Sequence, residues 1–185
     1  MTTVLASTET LPELLDALAR RHELGLDTYD EWWEAVYRVV TGPSPEHGEL
    51  VARLAAFLLL VADAAGLKAS APANIGRNRD DCRVPDLAVF RSGTPRTSPA
   101  FLASAELVIE VLSPGEEPGA KLDFYARFGV SEYLEVDPPH QRLRLLRRAQ
   151  DRWEPASHSA ILGFDVRADG IVSPTASYHI AWPPA

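Results

Sequence analysis

The strongest hydrophobic periodicity in the chain lies between Ser44 and Gly66. Leu50, Leu54, Phe57, Leu58 and Val61 recur at helical spacing, and Val51, Ala55, Leu59 and Ala62 widen the stripe. Ser44 is a good N-cap, and Pro45 suits the first helical position. The pattern predicts a helix running to about Ala65, with Gly66 as its C′ residue. A helix this apolar is covered on more than one side, and the expected cover is a sheet.

An earlier helix is predicted from the N-cap Thr10 through Leu11, Leu14, Leu15 and Leu18 to an exit at Gly25. Residues 1–9 are expected to be disordered. Residues 28–35, with Tyr29, Trp32 and Trp33, are expected to form a short helix that packs through its aromatics. Strands are expected at Tyr37–Val40, 67–73, Val84–Phe90, Glu106–Leu112 and Ser131–Val136. Arg142 to Leu146 alternates arginine and leucine, the pattern of a half-exposed hairpin strand, with a partner near Trp153. Asn74 to Arg83 reads as a polar turn, and Arg91 to Pro99 as a loop. A last helix is predicted from Pro118 to Phe128, stopping at Gly129. Beyond Ala156 the pattern fades towards a proline-rich end, Trp182-Pro183-Pro184.

This order implies an α/β fold with a mixed sheet. With 185 residues, one core is expected. The expected organisation is a helical extension over 1–27, a main domain over 28–156 that ends in a β-hairpin, and a strand or tail over 157–185 packed on it.

Composition narrows the function classes. The hydrophobic fraction is 46% and the charged fraction 24%, both ordinary for a globular domain. A net charge of −8 disfavours a shape-blind nucleic-acid coat but leaves open an enzyme that acts on nucleic acid, since metal-binding carboxylates are themselves acidic. Cys82 is the single cysteine, so an intramolecular disulfide and a Cys-rich zinc site are excluded. It is read as inert. Met1 to Thr10 shows no basic segment followed by an apolar run. The most apolar stretch, Leu54 to Ala62, is shorter than the about 20 residues a membrane span needs. The expectation is a soluble cytoplasmic protein. Arg142, Arg144, Arg147, Arg148 and Arg152 read as the solvent face of the hairpin.

The candidate chemistry rests on two carboxylates. Asp86 stands near the start of one expected strand and Glu110 near the end of a later one. If those strands are antiparallel neighbours, the two side chains meet. Parity puts Leu107, Ile109 and Val111 on one face and Val108 with Glu110 on the other. A charge on such an apolar strand needs a partner or a cation. Lys121, Tyr125 and Phe128 follow helical spacing, which lets the Lys121 amine reach back over the strand ends. Two carboxylates and a lysine suit Mg²⁺-assisted hydrolysis, with Mn²⁺ as an alternative ion. The spacing alone equally allows a turn carboxylate at Asp86, a Glu110–arginine ion pair and a surface Lys121.

A longer set of motifs changes those weights. Arg83-Val84-Pro85-Asp86-Leu87-Ala88-Val89-Phe90, Glu106-Leu107-Val108-Ile109-Glu110-Val111-Leu112-Ser113-Pro114-Gly115, Lys121 to Tyr125, Gly129-Val130-Ser131-Glu132-Tyr133 and Val136-Asp137-Pro138 resemble the Uma2 family. So do Tyr37-Arg38-Val39-Val40 and Pro43-Ser44-Pro45-Glu46-His47-Gly48, and the resemblance spans roughly residues 28–148. That family is grouped with the PD-(D/E)XK nucleases. The resemblance implies a restriction-endonuclease-like mixed central sheet flanked by helices. It also implies metal-dependent hydrolysis of nucleic acid, DNA foremost, with Asp86 and Glu110 as metal ligands. The superfamily pattern has lysine two residues after the second acidic residue, where this chain has Leu112. The resemblance assigns that amine to Lys121. His47 also falls on a family position and is a candidate site residue, with capping as its alternative. Glu34 and Glu49 are weaker acidic candidates, and Asp123 reads as helix surface. His22, His140, His158 and His179 have no metal-ligand spacing. A homodimer suits a nuclease that cuts both strands. The competing reading is a non-catalytic module that uses the same fold for protein association.

Overall fold

The computed structural model describes residues 2–5, 12–33, 36–40, 42–78 and 81–182. In chain order the elements are β1 (Thr2–Leu5), α1 (Pro12–Glu23), β2 (Glu31–Trp33), β3 (Val36–Val40), α2 (Pro45–Ala64), β4 (Lys68–Ser70), β5 (Asn74–Asn78), β6 (Asp81–Arg83), β7 (Leu87–Phe90), β8 (Arg96–Ser98) and β9 (Phe101–Leu102). They continue with β10 (Leu107–Val111), α3 (Leu122–Arg127), β11 (Glu132–Asp137), β12 (Arg142–Ala149), β13 (Arg152–Ala156), β14 (Asp165–Arg167), β15 (Gly170–Val172) and β16 (Ser177–His179).

The strands form three sheets. A six-stranded sheet has the order β13-β12-β11-β10-β7-β4, and a seven-stranded one the order β1-β3-β2-β6-β5-β9-β8. The third holds β14, β15 and β16. Two pairings matter most for the site. β10 runs antiparallel to β7, with Leu87 opposite Ile109 and Val89 opposite Leu107. β10 runs parallel to β11, with α3 in the connection. The fold is therefore the expected mixed α/β architecture, and the hairpin β12–β13 is present.

The expected parity of β10 divides the core. Leu107, Ile109 and Val111 pack with α2 through Leu54, Leu58 and Val61. Phe164, Ile171 and Ile180, from the C-terminal part of the chain, join that same cluster. Val108 faces the other way, towards Phe124 and Tyr125 of α3 and Tyr133 of β11. Helix α2 begins as its sequence predicts: the Ser44 hydroxyl accepts the His47 N–H at 3.2 Å. Gly66 follows the helix with φ +70°, a conformation open to glycine at little cost. Leu59, expected to widen the buried stripe, is instead exposed, as is Leu60.

Several local expectations are corrected. Residues 2–5 form a strand on the edge of the seven-stranded sheet, paired with β3, because β3 supplies hydrogen-bond partners that a sequence scan cannot see. Within the expected aromatic helix at 28–35, Glu31–Trp33 form strand β2, paired with β3 and bridged to β6, while residues 34 and 35 lie outside the described residues. The aromatic residues of β2 suit a pleated surface as well as a helix. In the polar stretch from Asn74 to Arg83, β5 and β6 pair antiparallel, and a Cβ at Gly76 would overlap the Asp81 carbonyl. The loop after Phe90 contains the short strand β8, and the region beyond Ala156 holds a whole sheet. Strand β7 starts at Leu87 and helix α3 at Leu122, both later than expected. Thr10 and Leu11 lie outside the described residues.

Candidate active site

The carboxylates lie where β7 begins and β10 ends. Pro85 cannot donate to a ladder, so the strand proper begins after Asp86. Asp86 instead turns its side chain to the neighbouring strand, and its Oδ2 accepts the Val111 N–H at 2.8 Å. Its Oδ1 lies 3.0 Å from His47 Nε2, so α2 and β7 are tied at this point. The Asp86 hydrogen bond raises the pKa of His47 above the ordinary imidazole value, against the pull of burial.

Glu110 is buried on the α3 side of β10. One oxygen accepts the Tyr125 hydroxyl. The other lies 3.1 Å from Lys121 Nζ. Lys121 occupies the N-cap position of α3, and its chain folds back over the strand end instead of entering solvent. The same Nζ is 3.0 Å from Glu31 Oε1 on β2. Glu31 is further held by the Val84 N–H at 2.8 Å and by the Trp33 indole N–H at 2.7 Å.

Charge at this point is out of balance. Glu31, Glu110 and Asp86 share one ammonium and one imidazole. Burial pushes Glu110 up to about 8, with the charges of Asp86 and Glu31 acting in the same direction and Lys121 opposing. Burial pulls the Lys121 ammonium down, but Glu110 and Glu31 outweigh it and hold the amine charged above its ordinary value. Other buried carboxylates of the sheet have structural partners, although Glu135 Oε1 is left without a hydrogen bond. Glu132 accepts from Ser159 and the Ala160 N–H, and Glu135 from Arg144 and the Gly119 N–H.

Glu31, His47, Asp86, Glu110 and Lys121 all line one cavity of about 1530 Å³. Among the described residues, no three His, Cys, Asp or Glu side chains cluster closely enough to enclose a metal ion. The donor set nevertheless fits Mg²⁺. That ion takes hard oxygen ligands, is often held through one or two carboxylates, and keeps several waters. Asp86 and Glu110 are such a pair, one just before β7 and one on the adjacent β10, and both line the cavity.

Of the residues marked out in the sequence, Asp86, Glu110, Lys121 and His47 come together. Glu49 also lines the cavity, but it is exposed and paired with Arg53 at 2.7 Å. Glu34 lies outside the described residues. Asp123 is on the exposed surface of α3. Glu31 was missed. It stands among other acids, between Asp30 and Glu34, and the helical reading of that segment gave no reason to prefer it.

A mixed sheet with its carboxylates and lysine at the strand ends is a nuclease-like α/β fold. The chain belongs to the Uma2 family, whose model, described as "Putative restriction endonuclease", matches residues 30–166. The fold is similar to the crystal structure of a "putative nuclease belonging to DUF820" from Anabaena variabilis. That likeness has a TM-score of 0.54 at 22% identity, covering 68% of this chain and 75% of the other. No curated protein matches the chain. No helix among the described residues is long and apolar enough to cross a membrane.

Proposed function

We propose that this protein hydrolyses phosphodiester bonds of nucleic acid, DNA foremost, with Mg²⁺ or Mn²⁺ held by Asp86 and Glu110. One observation carries the reading: the Lys121 amine lies 3.1 Å from Glu110 at the edge of the same cavity that Asp86 lines. When bound, the cation supplies Lewis acidity towards a phosphoryl oxygen and makes a bound water more acidic. The protein does the positioning. The Val111 N–H and His47 fix the two oxygens of Asp86. Tyr125 fixes one oxygen of Glu110 and leaves the other to face Lys121. Lys121, held charged, offers its N–H groups to charge that develops on the phosphoryl oxygens.

The test pairs calorimetric titration of Mg²⁺ and Mn²⁺ with a DNA cleavage assay, using the wild-type protein and Asp86→Ala. The expected result is metal affinity and cleavage in the wild type, with both lost in the variant. A wild-type protein without affinity for either ion sinks the reading. A second reading has one observation in its favour: Lys121 is held between Glu31 and Glu110 in what amounts to a closed ion cluster. A non-catalytic module on this fold would keep that cluster for stability, and metal-dependent cleavage rejects it.

A further inference from the structure

Beside the carboxylates is a second cavity of about 340 Å³, between β2, β3, β6 and α3. Trp33, Arg38, Arg83 and Phe124 line it, together with the exposed Asp123 and Arg127. Trp33, Arg38 and Ala120 also line the larger cavity, so the two spaces share a wall. That wall is tied to the charged cluster, since the Trp33 indole donates to Glu31.

The chemistry here is opposite in sign to that of its neighbour. The Arg38 guanidinium carbon stands 3.6 Å from the Trp33 ring centroid. That of Arg83 stands 4.3 Å from Trp33 and 4.3 Å from Phe124. Arg83 is almost fully buried and directs one terminal nitrogen at the carbonyls of Trp32 and Cys82. The Nε atoms of both Arg38 and Arg83 are buried without a hydrogen-bond partner. Burial lowers the Arg83 pKa from its ordinary value, as expected for a cation removed from water. A guanidinium stacked on an aromatic ring keeps its in-plane N–H groups for an oxyanion, and arginine favours phosphate for this reason. The Trp33 ring already carries two guanidinium groups, so the chemistry left to offer is N–H donation, not a stacking surface for a base.

We infer that this small cavity binds a phosphate group of the nucleic-acid strand whose neighbouring phosphodiester lies at the Glu110–Lys121 site. The inference rests on the nuclease reading of the larger cavity and adds to it the subsite that holds the strand. In a chain with a net charge of −8, a local pair of cations is what lets a polyanion approach the acidic cluster.

The test measures binding apart from catalysis. Fluorescence anisotropy in EDTA follows a fluorescein-labelled DNA oligonucleotide, with and without a 5′-phosphate. Arg38→Gln is expected to weaken binding about tenfold and to lower the slope of log affinity against log salt by about one. Arg38→Lys, which keeps the charge but lacks the planar fork, is expected to fall between the two. Circular dichroism confirms that each variant is folded, and calorimetry with Mg²⁺ alone is expected to match the wild type. A preference for the 5′-phosphorylated strand assigns the subsite to a terminal phosphate, and equal binding assigns it to an internal one. Wild-type affinity and salt slope in folded Arg38→Gln overturn the inference, as does a wild-type protein that binds neither oligonucleotide. Weakened binding by Arg38→Gln in a protein that cleaves nothing upholds the subsite while the hydrolase reading fails.

Discussion

Lys121 stands eleven residues beyond Glu110 in the chain, yet its Nζ lies 3.1 Å from the Glu110 carboxylate. The turn after β10 and the start of α3 close that distance. Removing the ammonium leaves Glu110 and Glu31 buried beside each other without their shared cation. Lys121→Met is expected to destabilise the metal-free protein by about 3 kcal/mol, the usual scale for breaking a buried pair from one side. The double variant Glu110→Gln/Lys121→Met is expected to recover about 1 kcal/mol or more of that loss through coupling. Urea denaturation of the four proteins in the cycle measures it, and additive losses count against the pair.

Tyr125 donates to Glu110 from within α3, whereas Tyr133 packs in the same cluster on β11. Tyr125→Phe is expected to cost about 1 kcal/mol, the usual scale for one hydrogen bond in a folded protein. Tyr133→Phe serves as the control, with an expected change below about 0.5 kcal/mol. Equal effects in urea denaturation would show that the Tyr125 hydroxyl has no special partner.

Much of this site was legible in the sequence, for reasons that differ by residue. Asp86 and Glu110 were legible because strand parity and an apolar run leave a charge conspicuous. The register of β7 on β10 then brought them together as the antiparallel reading required. The long helix α2 was legible because capping, periodicity and the stop signal agree. Glu31 and Arg83 were not assigned to a site, since both act through β2 and β6, short strands whose existence depends on partners distant in the chain. The three-stranded sheet after Ala156 was hidden for a similar reason. Its strands are three residues each, too short to display a period.

That late sheet is part of the core. Phe164 is fully buried and meets Phe57 of α2 edge-on, with ring centroids 6.0 Å apart. Phe164→Ala is expected to cost about 3 to 4 kcal/mol through lost burial and a residual cavity. Thermal and urea unfolding would detect it, and a loss below about 1 kcal/mol would mean that the segment leading into β14 packs loosely on α2.

Cys82 supplies a pH test. Burial pushes its thiol up to about 11. A raised thiol pKa means that the fold favours the protonated form. Stability from this group is complete below the ordinary thiol value and declines as pH rises towards about 11. The native protein at mildly alkaline pH is expected to react with iodoacetamide at least about tenfold more slowly than the urea-unfolded chain, because the thiolate is the nucleophile. Equal rates would contradict the burial of Cys82.

The register of β7 on β10 has a consequence for how such a protein can vary. The two carboxylates lie at the ends of strands whose connection, residues 91–106, carries β8 and β9 and lines neither cavity. Changes of length there would leave the Asp86–Glu110 juxtaposition intact, while a slip of one residue between the strands would turn Glu110 towards the α2 side of the sheet. The chemistry is thus insulated from the longest excursion between its own two halves. The exposed turn of this segment at Arg91–Gly93, away from the buried Leu102 and Ala105, is a tolerant place to add new contacts and to attach a reporter.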